Sequence, residues 1–342
     1  MSLVYRLEQG PTFFRDLIRP VQAVRPEKDI CYLGSGKAAI VAILAFLKSQ
    51  GILAHKMQPI LVPLWLGTWV YAHMLPFGFP TIDSSASVTV ALCYHQYGFP
   101  QDMDRVLEWA RSRDVTLIED CAHAANSQYR GTPVGTFGDF GVFSFSKFAF
   151  CFALGGVLSG NPGFRDHIAA TNRKASQSLQ LFVNAVKFLD DFNLNRPRPI
   201  ASRFFDGLRD MAFSRYDDQV LASKKAIGLW QEKRDHEFAV RKENYRILRG
   251  ALDRYGICDH LESEGVTPYA VPLALSSDVA PAVVEKLRER GVEAGIYRFD
   301  FNRLVFAPRF EPCVLVPIHS RMSGRGMDIV ISTLTDMIKL GG

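Results

Sequence analysis

DVTLIEDCAHAANSQYRGTPVGTFGDFGVFSFSKFAFCFALGGVLSG, residues 114–160, is the stretch from which the rest of this chain is read. Val115 to Glu119 is a short apolar run ending in acid, the pattern of a buried parallel strand that delivers Asp120 at its carboxyl end. Open α/β sheets place their ligands at that edge. A second apolar run, Phe140 to Phe145, delivers Ser144 and then Lys147, the only charged residue between Asp139 and Arg165. An ammonium group is costly to bury and deprotonates readily when buried, which is how a lysine becomes a nucleophile toward an aldehyde. Read otherwise, Lys147 would be a surface lysine with a buried stem. A strand-borne Asp120, a nearby His123, Ser144 and a desolvated Lys147 together supply what pyridoxal phosphate requires of a protein.

Outward from that stretch, Ile30 to Leu33 reads as a strand that enters the turn Gly34-Ser35-Gly36. A helix follows from about Lys37 to Lys48 and is apolar nearly all round, so it is expected to be buried. A buried helix opening on Gly-Ser-Gly points amide N–H groups at whatever precedes it, and a phosphate suits that position. Pro59 to Pro63 and Val88 to Tyr94 read as strands and Thr68 to Phe77 as a helix. Asp102 caps a helix whose Met103, Val106, Leu107 and Ala110 recur at helical spacing. Strands alternating with helices predict a mostly parallel sheet covered on both faces. Ser178 to Leu189 suggests a helix, and Arg196-Pro-Arg-Pro a turn or linker.

A long charged helical stretch, 221–255, reads as the bridge to a second unit. Beyond it come strands at Tyr269 to Leu275, Val292 to Tyr297 and Val314 to Pro317. A helix at Ala280 to Arg290 and a last one from Ser323 complete the chain. The expectation is an α/β protein of two domains: a large cofactor-binding domain, 1–220, and a small C-terminal α/β domain, 221–342.

At 342 residues, 48% apolar and 22% charged, the composition is that of a folded globular protein. The net charge of +5 comes without a Lys or Arg block to track a phosphate backbone, so nucleic acid is not expected as a partner. Six scattered cysteines without CxxC spacing argue for reduced thiols in the cytoplasm and against disulfides or zinc. The first twenty residues lack a signal peptide's apolar centre. Gly141 to Gly160 is apolar enough to imitate a membrane span, but Lys147 and Gly155-Gly156 interrupt it. A soluble protein is expected.

IEDCAHA (118–124), GTFGDFGVFSF (135–145) and a lysine followed by Gly155-Gly156 resemble the core signature of the DegT family. Its members are fold-type-I pyridoxal-phosphate aminotransferases acting mostly on nucleotide-linked keto-sugars. YHQYGFPQDMD (94–104), KKAIGLWQ (224–231) and VPIHSRMS (316–323) resemble further family segments in the same order. The resemblance implies that Lys147 bonds the cofactor and carries the proton, that Asp120 keeps the pyridine nitrogen protonated, and that His123 stands near the ring hydroxyl. It implies phosphate contacts from Ser144 and the backbone of Gly36 and Lys37, with Ser35 in the same turn. It further implies small-molecule substrates, namely an amino donor, glutamate, and a keto-sugar nucleotide acceptor, and a homodimer without membrane attachment. Two alternatives stay open: a related enzyme acting on a non-sugar ketone or by elimination, and a silent paralogue that binds cofactor or ligand without turnover.

The sequence departs from the family pattern in places. Only Ser146 separates FSF from Lys147, where the family has three residues, and the gap to Gly155-Gly156 is one longer. Lys37 replaces a common Thr, and Gly67 falls where an aromatic covers the cofactor ring, leaving Trp65 or Trp69 for that task. A family segment between Asp83 and Val88 is missing. Asp217 stands where a partner-subunit Asn touches the phosphate. His95 and His319 match family positions but read as structural. Arg298 and Arg303 are candidates for a substrate carboxylate or phosphate.

Overall fold

The structure, a computed structural model, describes residues 5–9, 21, 29–171, 173–174, 176–193, 207–208, 211, 220–262 and 264–341. One sheet of nine strands dominates it. In chain order these are β1 (Ile30–Leu33), β2 (Pro59–Leu61), β3 (Phe79–Thr81), β4 (Val90–Tyr94), β5 (Thr116–Asp120), β8 (Phe140–Phe143), β9 (Gly155–Leu158), β10 (Arg173–Lys174) and β11 (Val220–Leu221). The minor strands β6 (Gln128–Tyr129) and β7 (Thr132–Pro133) form a separate hairpin. Across the large sheet the order is β10-β11-β1-β9-β8-β5-β4-β2-β3. The run β3-β2-β4-β5-β8 is parallel throughout, while β9 is antiparallel to both of its neighbours, β8 and β1.

The central strands are apolar because each must face a covered layer on both sides. Val90 and Leu92 of β4 pack in one core, together with Ile118 of β5, Phe140 and Val142 of β8 and the helix α1 (Gly36–Ser49). Ala91 and Cys93 of the same strand point the opposite way, with Leu117, toward Met103, Val106 and Ala110 of α3 (Met103–Ser112). Successive side chains on a strand alternate faces, so a continuous apolar run is what a doubly covered sheet demands. The short helix α2 (Thr68–Met74) lies between β2 and β3 in sequence, and α4 (Pro162–Thr171) and α5 (Gln177–Asn193) follow β9.

Helix α6 (Lys224–Leu252) is 29 residues long and is capped by Ser223, whose Oγ accepts from the amide of Ala226 at 3.1 Å. After it, β12 (Ala270–Leu273), β14 (Phe310–Pro317) and β13 (Gly295–Asp300) form an antiparallel sheet in the order β12-β14-β13. It packs with α7 (Ala280–Glu289) and α8 (Arg325–Gly341).

Several sequence readings need correction. The strand expected through Phe145 stops at Phe143, and a single 3₁₀ turn, Phe145–Lys147, takes over. Val292 makes only an isolated bridge to Tyr5, so the strand expected there starts at Gly295. Gly155-Gly156, read as an interruption, begins strand β9. There a Cβ on Gly155 would come within 2.2 Å of the Ser35 carbonyl carbon, so the glycine is needed for space. Among the described residues, no helix is long and apolar enough to cross a membrane. All six cysteines are free. The turn expected at 196–199 lies outside the described residues.

Candidate active site

The site is assembled at the carboxyl edge of the parallel strands. Register pairs Tyr94 at the end of β4 with Asp120 at the end of β5, and Asp120 with Val142 of β8. The chain then turns once: Lys147 N–H donates to the Ser144 carbonyl at 3.2 Å and Phe148 N–H to the Phe145 carbonyl at 3.1 Å. In a 3₁₀ turn, positions three apart lie one above the other. That turn brings Ser144 and Lys147 to the same edge despite the short spacing between FSF and the lysine.

Asp120 is buried, and its Oδ1 accepts from the amide of Ala122 at 2.9 Å. Burial raises its carboxyl above the ordinary aspartate range, against the opposing pull of the Ala122 amide and the Lys147 charge. His123 Nε2 lies 2.8 Å from Lys147 Nζ, and its Nδ1 is hydrogen-bonded to the Tyr94 hydroxyl. The imidazole is stacked on the ring of Tyr269, with centroids 4.3 Å apart and planes at 6°, and more loosely on Tyr97 at 5.7 Å. Burial, and then the charges of Lys147 and Arg241, push its pKa well below the ordinary histidine value, so the ring is neutral. Burial also pushes the Tyr94 phenol well up, so it keeps its proton.

A second pole lies at the start of α1. Ser35 caps the helix, its Oγ accepting from the Ala38 amide at 3.0 Å. Gly36 packs so closely on Ser144 that a Cβ there would stand 2.9 Å from the Ser144 Cβ and 3.2 Å from its Oγ. The Ser144 hydroxyl and the first amides of a buried helix are therefore adjacent, the arrangement that receives a phosphate. Lys37 Nζ lies 5.5 Å from the centre of the Trp69 ring, tying the start of α1 to α2. Trp69 and Trp65 are about half exposed, at 48% and 52%.

A buried network underlies the site that the sequence reading did not find. Arg241 on α6 is paired with Glu237 at 2.7 Å and donates to the carbonyls of Tyr269 at 2.6 Å and Phe148 at 3.2 Å. It thus fixes both the residue after Lys147 and the ring that stacks on His123. Glu119 accepts from His95 at 3.0 Å and from the amides of Gly135, Phe137 and Gly138 at 2.7–2.8 Å. Burial works against its charge, but these donors prevail and hold its carboxyl below the ordinary range. With His95 Nδ1 accepting from the Gln101 amide at 3.1 Å, the His95, Glu119 and Cys121 group is a satisfied structural knot. His319 Nε2 donates to the Arg6 carbonyl at 2.6 Å and is likewise structural. Arg303, a candidate for a substrate anion, is in an ion pair with Glu262, while Arg298 is exposed on β13. Asp217 lies outside the described residues. Of the residues the sequence reading missed, Tyr94 alone carried a weak signal, standing directly before His95 at the end of β4.

Residues 85–180 match the model of the DegT/DnrJ/EryC1/StrS aminotransferase family. Among curated proteins, the chain is 29% identical over 207 residues to dTDP-3-amino-3,4,6-trideoxy-alpha-D-glucose transaminase of Streptomyces venezuelae, covering 53% of this chain and 49% of that protein. It is 54% identical over 54 residues to GDP-perosamine synthase of Escherichia coli O157:H7, covering 16% and 15% of the two. The chain thus aligns with half or less of these relatives' lengths. Among solved structures, Helicobacter pylori PseC, an aminotransferase involved in the biosynthesis of pseudoaminic acid, superposes with a TM-score of 0.67 at 10% identity, covering 99% of this chain and all of that one. A putative sugar aminotransferase from Streptococcus pneumoniae in its PMP form gives 0.64 at 16% identity, over 97% and 99%. The fold is therefore shared with these aminotransferase structures, and over residues 85–180 the family match agrees with the resemblance read from the sequence.

Proposed function

We propose, from a chain with the DegT-family match over 85–180 and the fold of the sugar aminotransferases, that this protein is a pyridoxal-phosphate-dependent aminotransferase. It moves an amino group from an amino acid, glutamate as the family resemblance implies, to a keto-sugar nucleotide. The observation that carries this reading is Lys147 Nζ, placed 2.8 Å from a neutral His123 beside the buried carboxylate of Asp120. The residues present fit the cofactor: Gly36, Ser144 and the start of α1 suit its phosphate, Asp120 its ring nitrogen and His123 its ring hydroxyl.

Bound there, pyridoxal 5'-phosphate supplies an aldehyde that takes up amino groups and a ring that draws electrons from the adjacent carbon. Lys147 offers the amine that anchors it and carries the proton at Nζ between substrate and cofactor carbons. Asp120 stabilises a cationic ring nitrogen, and such a partner offsets the desolvation that now raises its pKa. Tyr97, Phe148 and Tyr269 close the inner wall and exclude water. We assign 1–220 as the cofactor domain and 221–342 as the small domain, in a cytoplasmic homodimer without membrane attachment.

Borohydride reduction of cofactor-loaded protein, followed by peptide mapping, is expected to find the pyridoxyl group on Lys147. Adding glutamate should convert the visible absorption of the loaded protein to that of the amine form. An adduct elsewhere, or no spectral response to any amino donor, overturns the reading.

A further inference from the structure

The seven residues after Lys147, Phe148 to Leu154, are all apolar and all buried, and they lie between the 3₁₀ turn and β9, outside helix and strand. Buried carbonyls in such a segment need donors from elsewhere in the fold. Phe152 adds a further demand, because its φ of 61° lies in the left-handed region, which a bulky side chain occupies only where its surroundings impose it. Helix α6 supplies both the donors and the surroundings. Its Trp230 and Phe238 pack on Phe145 and Phe148, with ring centroids 4.8 and 5.6 Å apart. Arg241 donates to the Phe148 carbonyl at 3.2 Å, and Lys233 Nζ donates to the Phe150 carbonyl at 2.9 Å while standing 5.7 Å from the centre of the Phe150 ring. Lys225 Nζ lies 5.7 Å from the centre of the Phe152 ring. Cations eight residues apart on the helix thus meet alternate residues of the loop, in the opposite chain direction.

We infer that Lys233 is a positioning residue for Lys147: together with Arg241 it holds the loop that follows the lysine, and so fixes the direction in which the lysine side chain leaves the 3₁₀ turn. Arg241 anchors the first residue of that loop, and Lys233 anchors its middle, two residues before the strained backbone of Phe152. A hydrogen bond from a charged donor is among the stronger ones, so its loss loosens the loop where its own conformation is least favourable. A lysine suits the task, since from a half-buried position its stem lies along apolar surface while its ammonium reaches a carbonyl. The consequence for catalysis rests on the function proposed above. The hold on the loop does not.

Lys233→Met keeps a long apolar stem and lacks the donor, whereas Lys233→Arg keeps a donor. In cofactor-free protein followed by hydrogen exchange and mass spectrometry, Lys233→Met is expected to speed exchange of the 144–154 amides about tenfold and leave the β12–β14 sheet unchanged, with Lys233→Arg restoring most of the protection. In cofactor-loaded protein, Lys233→Met should lower kcat with glutamate several-fold while KM for glutamate holds, and Lys233→Arg should recover it. Unchanged exchange over 144–154 in Lys233→Met overturns the proposal, as does faster exchange with an unchanged kcat, or a failure of Lys233→Arg to restore either. A measurement on wild type decides even if the variants fold poorly: Lys233 should react with acetic anhydride several-fold more slowly than the exposed Lys224, and equal reaction overturns the proposal. Absence of any transamination in wild type would instead sink the function proposed above and leave the exchange result to decide the hold on the loop.

Discussion

Burial works against the charge of Asp120 and raises its carboxyl above the range it has in an unfolded chain. Below the unfolded pKa both states hold the proton and nothing is lost, whereas as pH rises through the folded value the native state must ionise a desolvated acid and loses stability. Asp120→Asn keeps the acceptor for the Ala122 amide without the charge. In cofactor-free protein it should therefore melt a few degrees above wild type at pH 7, and the gain should vanish when melting is followed down through acid. With cofactor bound, the same substitution should cut the half-reaction with glutamate by orders of magnitude, which stopped-flow absorbance reads directly. Asp120, Ser144 and Lys147 were legible in the sequence because a lone polar residue in an apolar run carries a desolvation cost that only a partner or a ligand offsets. Tyr94, Tyr269 and Arg241 were not. A tyrosine at a strand end looks like core, an arginine on a charged helix looks solvated, and only the fold shows that all three converge on His123.

Helix α6 shows how much of an element its periodicity can conceal. Its length and its Ser223 cap were readable, but its charged face gave no sign that Glu237 and Arg241 are fully buried, one turn apart. The pair has further partners: Glu237 also accepts from Gln9 and the Ser320 amide, and Arg241 donates to the carbonyls of Pro268, Tyr269 and Phe148. Removing one member strands the other in a medium of low dielectric constant. Arg241→Ala should destabilise by about 3–5 kcal/mol in urea unfolding. A double replacement of Glu237 and Arg241 by apolar residues of similar volume should recover much of that loss. It should not recover the stacking of Tyr269 on His123, because the carbonyl contact that positions that ring is gone. Strand β9 went unseen for a different reason: its Gly155 is there for the close approach of Ser35, a contact between segments far apart in the chain.

At the scale of the whole molecule, Leu64, Trp65, Trp69, Leu75, Phe79 and Ile82, at the β3 edge of the large sheet, are each 46–56% exposed. Exposed apolar residues of this kind are what the proposed homodimer would cover, a two-fold dimer being the commonest oligomer. Sedimentation equilibrium at micromolar concentration should give twice the 38.3 kDa chain mass. A monomer that still transaminates would leave that surface without a second copy. The small sheet, meanwhile, does not hang from the large one at a loose joint. Gly98 leaves room for the Pro268 backbone, where a Cβ would come within 2.7 Å of its Cα, and Tyr269 N–H donates to the Tyr97 carbonyl at 2.8 Å. Thr267 is bonded to Ser127 and Asn126 on the other side. A fragment that stopped at residue 220 would carry Asp120, His123, Ser144 and Lys147 and still lack the ring against which His123 is packed. The two halves of the gene therefore cannot be read as a catalytic module and an accessory, and any recombination between relatives must carry the stretch around Tyr269 along with the lysine.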